Sequence, residues 1–217
     1  MPKSKSCVLK ARGRKGYRKI TVLLSLFLFS ALGSGLVFFL KWHCPCPGVE
    51  IPSAFLKPGY FICRHGDGFF SEEIRNFNQK DKRFSHIGVL VPGKTGIQVV
   101  HADTQDHSGK AGVSVEKIEV FLSHAQRAGV FRFRQLDEKS VICHALSLAG
   151  RPFDWKFDLS DDSALYCTEL IDCLYRQIAG KSPLKQRKLG KKNLIPIEAC
   201  LDKELATEIY VSPPEKK

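Results

Sequence analysis

The amino-acid sequence predicts an α+β fold, and the order of its segments is the main reason. Apolar segments rich in β-branched and aromatic residues follow one another from residue 59 onward, whereas segments of helical periodicity dominate the later part. Strands that precede helices in this way favour α+β over a parallel doubly wound sheet, in which the two types alternate. The 217 residues, 43% of them hydrophobic, are enough for one domain with a hydrophobic core.

Four segments are predicted to be strands. Residues 59–64 form a short apolar run that ends before a glycine-rich turn. Residues 84–91 and 96–102 flank a Pro-Gly-Lys-Thr turn and are therefore predicted to form a hairpin. Residues 129–134 alternate between apolar and polar side chains, as a half-buried strand does.

The predicted helices are defined by apolar spacing and by their end signals. Asp137 is a suitable N-cap for one helix, which Gly150 ends. A second helix places Leu170, Ile171, Leu174 and Ile178 on one face and stops at Gly180. Helices are predicted at residues 71–79, 115–125, 138–149, 164–179 and 197–205.

The formal charge of +12 is unevenly distributed along the chain. Residues 1–19 carry eight Lys or Arg and no acid, and residues 181–192 carry six more, again without an acid. Residues 42–180 hold 16 basic and 17 acidic side chains and are therefore nearly neutral. Because the main body lacks a basic excess, we expect no nucleic-acid partner.

A membrane anchor is predicted near the N-terminus. Residues 20–40 form 21 residues without a charge, enough for a helix of about 30 Å across a bilayer core. The run lacks the polar stripe of a core helix and exceeds the apolar region of a signal peptide. The basic leader should keep the N-terminus cytoplasmic and the rest extracytoplasmic, which means periplasmic if the source is bacterial. We predict a leader at 1–19, a transmembrane helix at 20–41, a linker at 42–57, a folded domain at 58–212 and a tail at 213–217.

Cys167 is the strongest candidate nucleophile. It falls in the first turn of the predicted helix, where unpaired N–H groups and the helix dipole favour a thiolate. The nearby acids Asp161, Asp162 and Glu169 oppose that effect, so the sulfur needs a base. Disulfides among the other cysteines after the predicted span remain open at this stage, since connectivity cannot be read from spacing.

His86 and His101 are the candidate base and its orienting partner. They lie on the two strands of the predicted hairpin, so a compact hairpin would bring them together as a base and the third member of a triad. Histidines in strands are often only structural. No spacing of His with carboxylates matches a metal-ligand pattern, so neither a metal nor a cofactor is predicted.

Five short segments together resemble a known family. They are Pro58-Gly59-Tyr60-Phe61-Ile62-Cys63-Arg64, Ser85-His86-Ile87-Gly88, Val100-His101-Ala102, Gly150-Arg151-Pro152-Phe153-Asp154 and Tyr166-Cys167-Thr168-Glu169-Leu170. In this order, over residues 57–180, they resemble the YiiX/YebB-like family of permuted NlpC-type, papain-like cysteine peptidases and amidases. The sequence departs from the family pattern at Tyr60, in place of an acid, and at His101, where many relatives carry Glu.

The resemblance implies both a fold and a chemistry. The fold would be a circularly permuted NlpC/papain-like domain, with a small antiparallel sheet or barrel packed on helices. Cys167 would attack an amide or ester carbonyl, His86 would shuttle the proton, His101 would fix the tautomer of His86, and an acyl-enzyme would form. The expected substrate is an amide bond in a peptide, with cell-wall peptide as the leading case. The alternatives are a lipid-directed amidase, esterase or acyltransferase of the lecithin:retinol acyltransferase-like type, and a non-catalytic binding module.

Overall fold

The computed structural model describes residues 48–66, 70–105, 109–123 and 125–213. The predicted leader and transmembrane helix, residues 1–41, lie outside this range, as does the first part of the predicted linker. Within the described ranges, no helix combines the length and apolar character that a membrane span needs. The anchor therefore stays a prediction from the sequence.

A six-stranded sheet, in which every neighbouring pair of strands is antiparallel, organises the described residues. Its strand order is β4-β3-β2-β1-β5-β8, and β6 and β7 form a separate hairpin. The strands are β1 Phe61–Gly66, β2 His86–Gly93, β3 Gly96–Asp103, β4 Gly112–Lys117, β5 Ala125–Phe133, β6 Arg187–Leu189, β7 Lys192–Leu194 and β8 Ala206–Val211.

Five α-helices accompany the sheet, and their ends follow local sequence signals. They are α1 Ser71–Phe77, α2 Ile118–Ser123, α3 Glu138–Ser147, α4 Cys167–Ala179 and α5 Ile197–Cys200. The carboxylate of Asp137 accepts a hydrogen bond from the Ser140 backbone N–H at 2.8 Å and caps α3 as predicted. Gly180 ends α4 in the left-handed conformation, with φ of 76°, which glycine adopts without steric cost.

The two faces of the sheet pack against different partners. On one face, the apolar side of α4, including Leu170 and Leu174, packs with strand residues such as Phe61 and Val89 in a core that α3 completes. On the other face, Phe121 of α2 and the segment around residues 49–56 cover a smaller apolar cluster that includes Leu90 and Val99. The sheet is thus buried on both sides, and its polar side chains must find partners there.

The α+β prediction is confirmed, and the four predicted strands correspond to β1, β2, β3 and β5. The helix predicted at 115–125 is confirmed over Ile118–Ser123 and wrong over residues 115–117, which belong to β4. Within β4, Val113 and Val115 pack in the larger core while Ser114 and Glu116 face away from it, a period of two residues. The helix predicted at 197–205 is shorter than expected, and β6, β7 and β8 are additional strands.

Candidate active site

The histidine pair lies on neighbouring strands, as the hairpin predicts. His86 is the first residue of β2 and His101 lies near the end of β3. His86 Nε2 is 2.9 Å from His101 Nδ1, and the two rings are nearly perpendicular at 86°. The Phe121 ring lies 5.7 Å from the His86 ring and 5.2 Å from the His101 ring. One hydrogen bond therefore joins the two imidazoles beneath an aromatic cover.

Gly88 allows β3 to approach β2 closely beside this pair. A Cβ atom at position 88 would lie 2.5 Å from Val99 Cγ1 and 3.0 Å from His101 Cβ. Neither distance is tolerated in a packed sheet without movement of the neighbouring strand. The close approach of β2 and β3 thus explains why a residue without a side chain stands at position 88 in the Ser-His-Ile-Gly segment.

Glu116 is a further polar residue of the site, which the sequence interpretation missed. Its Oε1 lies 2.9 Å from His101 Nε2, and both side chains are almost wholly buried. Ser114, which pairs with His101 across β3 and β4, places its hydroxyl 3.4 Å from the same nitrogen. The alternation of Val113, Ser114, Val115 and Glu116 is the sequence signal for this strand, and the helix predicted at 115–125 conflicts with it.

Asp103 and Arg64 form an ion pair at the edge of the histidine pair. Arg64 Nη2 is 3.0 Å from Asp103 Oδ2, while Arg64 Nη1 donates to the Phe121 carbonyl at 2.7 Å. The same Asp103 oxygen is 3.6 Å from His86 Nε2 and 3.8 Å from His101 Nδ1. Both of these are longer than ordinary hydrogen bonds, so Asp103 acts on the imidazoles mainly through its charge.

Burial and neighbouring charges keep His86 neutral at pH 7. Burial lowers the pKa of His86 to about 3; the positive charge of Arg64 also lowers it, and the Asp103 carboxylate opposes the shift. Burial raises the pKa of Asp103, but His86, Arg64 and His101 outweigh it and hold that pKa below its ordinary value. Burial likewise raises the pKa of Glu116, yet the hydrogen bond from His101 leaves it lowered overall. Both carboxyl groups are therefore ionised beside a neutral base.

Cys167 is the first residue of α4, and its sulfur lies against the start of β2. Burial and, to a smaller extent, the Asp103 charge raise the pKa of the Cys167 thiol to about 12. Hydrogen bonds from the backbone N–H groups of Thr168 and Ile87 act in the opposite direction. Since Ile87 directly follows His86, these contacts bring the sulfur and the histidine pair to the same end of β2. The resting thiol is neutral.

Two hydrogen bonds from residues beside Cys167 tie the start of α4 to the segment after β7. The Ile195 backbone N–H donates to the Tyr166 hydroxyl at 3.1 Å, and the Thr168 hydroxyl donates to the Ile195 carbonyl at 2.7 Å. The Tyr166 backbone N–H donates to Glu169 Oε2 at 3.2 Å, which satisfies one of the unpaired donors at the helix start. These contacts hold the residues on both sides of Cys167.

The acids near Cys167 are neutralised in two different ways. Asp162 is ion-paired with Arg176, whose Nη1 lies 2.6 Å from its Oδ2. Glu169 is completely buried, and this burial raises its pKa to about 8, so most of it is protonated at pH 7. The opposition to a thiolate that the sequence suggested from these two acids is therefore much reduced.

A resident divalent metal does not fit the polar cluster well. His86, His101 and Asp103 each offer one donor atom, and these atoms lie within 4.8 Å of one another. However, the two imidazole nitrogens already share a hydrogen bond, and the Asp103 oxygen is already bound by the Arg64 guanidinium at 3.0 Å. A divalent cation would have to break the hydrogen bond between the two imidazoles and lie close to the positive charge of Arg64.

The permuted order of the site, with the histidine strands before the cysteine helix, defines the class as a permuted papain-like domain. Residues 63–209 match the family model described as permuted papain-like amidase enzyme, YaeF/YiiX, C92 family. The chain belongs to this family, and the resemblance seen in the sequence is confirmed. The family supports an amidase or peptidase type of hydrolase.

A solved structure shares the fold. It is described as metalloprotein YiiX from Escherichia coli O157:H7, with a TM-score of 0.59 and 19% sequence identity. The match covers 73% of this chain and 98% of the YiiX chain. No curated protein matches this sequence.

Proposed function

We propose that this protein is a cysteine hydrolase that cleaves amide bonds through Cys167, His86 and His101. The observation that carries the proposal is the buried His86–His101 hydrogen bond of 2.9 Å, at the end of β2 where the Ile87 N–H contacts the Cys167 sulfur. A nucleophile, a base and a partner that orients the base are the elements of thiol acyl transfer. Membership of an amidase family supports the same chemistry.

The proposed reaction begins from neutral groups. As Cys167 Sγ attacks the carbonyl carbon, a C–S bond forms, the thiol proton passes to His86 Nδ1 and the carbonyl oxygen becomes an oxyanion. When the oxyanion collapses, the C–N bond breaks and His86 returns the proton to the leaving amine, which leaves an acyl-enzyme. Water then attacks the thioester and gives a proton to His86; the C–S bond breaks, His86 returns the proton to the sulfur, and the acid and the Cys167 thiol are released.

Activity with an activated ester tests the nucleophile and the base. The full chain should release nitrophenolate from p-nitrophenyl acetate and carry an acetyl group on Cys167, which mass spectrometry locates. Cys167→Ala should abolish both signals, and His86→Ala should lower the rate by about 100-fold or more. Cys143→Ala is the matched control, because Cys143 is exposed and free. Acetylation of another cysteine, or an unaffected rate in His86→Ala, would refute the proposal.

The substrate class is a peptide amide, with cell-wall peptide as the leading case. A second candidate is an acylated lipid, since Trp155 and Leu189 are 63% and 57% exposed and Leu189 lies in the basic β6–β7 hairpin. Exposed aromatic and aliphatic side chains beside Lys residues suit a lipid interface. Incubation with muropeptides in one arm and N-acylated lipids in the other, with product masses as the measurement, decides between them.

We also propose that residues 20–41 anchor the chain in a membrane with residues 42–217 on the extracytoplasmic side. The uncharged run and the eight basic residues before it support this topology. Alkaline extraction of membranes should leave the chain in the pellet, and external protease should digest the domain only when that side of the membrane is accessible. Release into the supernatant would contradict the anchor without affecting the proposed chemistry.

A further inference from the structure

We propose that Glu116 is a positioning residue that fixes the proton of His101, and through it the proton of His86. This inference rests on the proposed role of His86 as the base. It adds a fourth side chain to the site and places a carboxylate in contact with the imidazole at position 101. The three groups form one line of hydrogen bonds, from Glu116 to His101 to His86.

The direction of each hydrogen bond follows from the chemistry of Glu116. A carboxylate only accepts, so at 2.9 Å from Glu116 Oε1 the His101 Nε2 must carry a proton. In the tautomer with this single proton, His101 has a lone pair on Nδ1, which accepts from His86 Nε2–H at 2.9 Å. His86 is therefore left with a free lone pair on Nδ1, the nitrogen that must take the thiol proton. With one proton on each ring, only this arrangement of protons satisfies both bonds.

Burial strengthens the effect of Glu116 on the proton positions of the two histidines. His101 is 1% exposed and Glu116 is 5% exposed, so water cannot replace either partner. The charged groups that face the imidazoles are Arg64 from β1, Asp103 from β3 and Glu116 from β4. Asp103 is held by Arg64 and by the Thr104 backbone N–H, at 3.0 and 2.7 Å. Glu116 is the carboxylate whose hydrogen bond goes directly to the histidine pair.

A pair of variants separates positioning from mere structural support. Glu116→Gln keeps the shape but loses the charge and the fixed acceptor, so the rate of acyl transfer to Cys167 should fall by about tenfold or more. Adding His101→Glu to that variant places a carboxylate directly beside His86 Nε2 and should restore most of the lost rate. His101→Glu alone adds a third carboxylate beside Asp103 and Glu116 and should be slower than the double variant.

The matched control is Glu119→Gln, the same change at an exposed position three residues later, which should keep the full rate. Unchanged unfolding midpoints show that the variants are folded. A wild-type rate in Glu116→Gln would overturn the inference, and so would a double variant that is no faster than either single variant. The proposed hydrolase function would stand in both cases, provided that His86→Ala and Cys167→Ala lose activity as expected. Loss of the Cys167 and His86 effects would instead overturn the proposed function.

A measurement on the unaltered chain keeps the inference testable if Glu116→Gln does not fold. Nitrogen-15 NMR of the imidazoles distinguishes a protonated ring nitrogen from one with a lone pair. The expected result is a proton on Nε2 of both His101 and His86. A proton on Nδ1 of His101 would overturn the inference.

Discussion

Carboxyl groups flank both halves of the proposed site, but they carry different charges. In the base half, on the sheet, Asp103 pairs with Arg64 and Glu116 accepts from His101, and both pKa values lie below the ordinary range. In the nucleophile half, on α4, Glu169 is equally buried, but its Oε1 has no hydrogen-bond partner among the described residues. Burial therefore raises the pKa of Glu169 to about 8.

Because of this difference, negative charge lies beside His86, which receives a proton in the proposed reaction. The charge of Glu169 is largely absent beside Cys167, where a thiolate forms. An imidazolium on His86 is stabilised by the carboxylates of the base half, whereas a carboxylate beside Cys167 would oppose the developing sulfur charge. The charge state of each carboxyl group follows from its partners. Asp103 and Glu116 have a guanidinium or an imidazole beside them, whereas the single backbone N–H that Glu169 accepts from does not offset its burial.

The largest effect should come from removing the centre of the base half. His101→Ala deletes the link between Glu116 and His86 and leaves the Glu116 carboxylate without its imidazole partner. We expect acyl transfer to Cys167 to fall by about 100-fold, the scale of a lost general-base function. His144→Ala, a change in α3, serves as the control. A rate within a few-fold of the wild type would mean that His86 needs no orienting partner.

The nucleophile half is tested by Glu169→Gln, through the pH dependence of stability. Between the ordinary pKa of 4.5 and the folded value of about 8, the folded chain keeps a proton that the unfolded chain releases, so stability falls as the pH rises through this window. The loss is on the order of a few kcal/mol, because each pKa unit corresponds to about 1.4 kcal/mol.

In Glu169→Gln the side chain stays neutral, so this part of the decline should disappear and the variant should be more stable than the wild type near pH 8. Urea unfolding at several pH values between these two pKa values measures it, with Glu119→Gln as the control. The same pH slope in wild type and Glu169→Gln would show that Glu169 is already ionised in the folded chain.

The two halves also differ in how far the sequence could predict them. The nucleophile half is local: Cys167, the helix that follows it and the stop at Gly180 lie within one short segment and obey helix periodicity and capping rules. The histidine pair could be predicted only as a consequence of a compact hairpin between β2 and β3. The two imidazoles meet because β2 and β3 are neighbours in the sheet.

Glu116 and Asp103 could not be assigned from the sequence, because their partners depend on long-range pairing. Glu116 meets His101 only because β4 pairs with β3. The helix predicted at 115–125 includes Glu116 and does not predict this pairing. Arg64 meets Asp103 across strands that are not adjacent in the sheet. Edge strand β8 pairs with β5 across more than 70 residues of sequence and likewise gave no local signal.

A smaller effect is expected from Asp103→Asn, which sharpens the contrast with Glu116 inside the base half. The Asp103 charge raises the pKa of His86 but also raises the pKa of Cys167, so it favours the imidazolium and disfavours the thiolate. These two influences largely cancel for a proton that moves from sulfur to nitrogen. The rate of acyl transfer should change by less than about tenfold, less than in Glu116→Gln. A larger loss would identify Asp103 as the orienting carboxylate.

The smallest effect should come from chelation, which tests whether the polar cluster works as a hydrogen-bonded base or as a metal centre. Because Arg64 binds the Asp103 oxygen and the imidazoles bind each other, removing divalent metals should leave acyl transfer to Cys167 unchanged. The measurement is the rate before and after dialysis against a chelator, together with the metal content of the purified chain. If instead one equivalent of metal is present and its removal alters the rate, a cation must replace the hydrogen bond between His86 and His101. The metal ion, and not Glu116, would then determine the charge next to the two imidazoles.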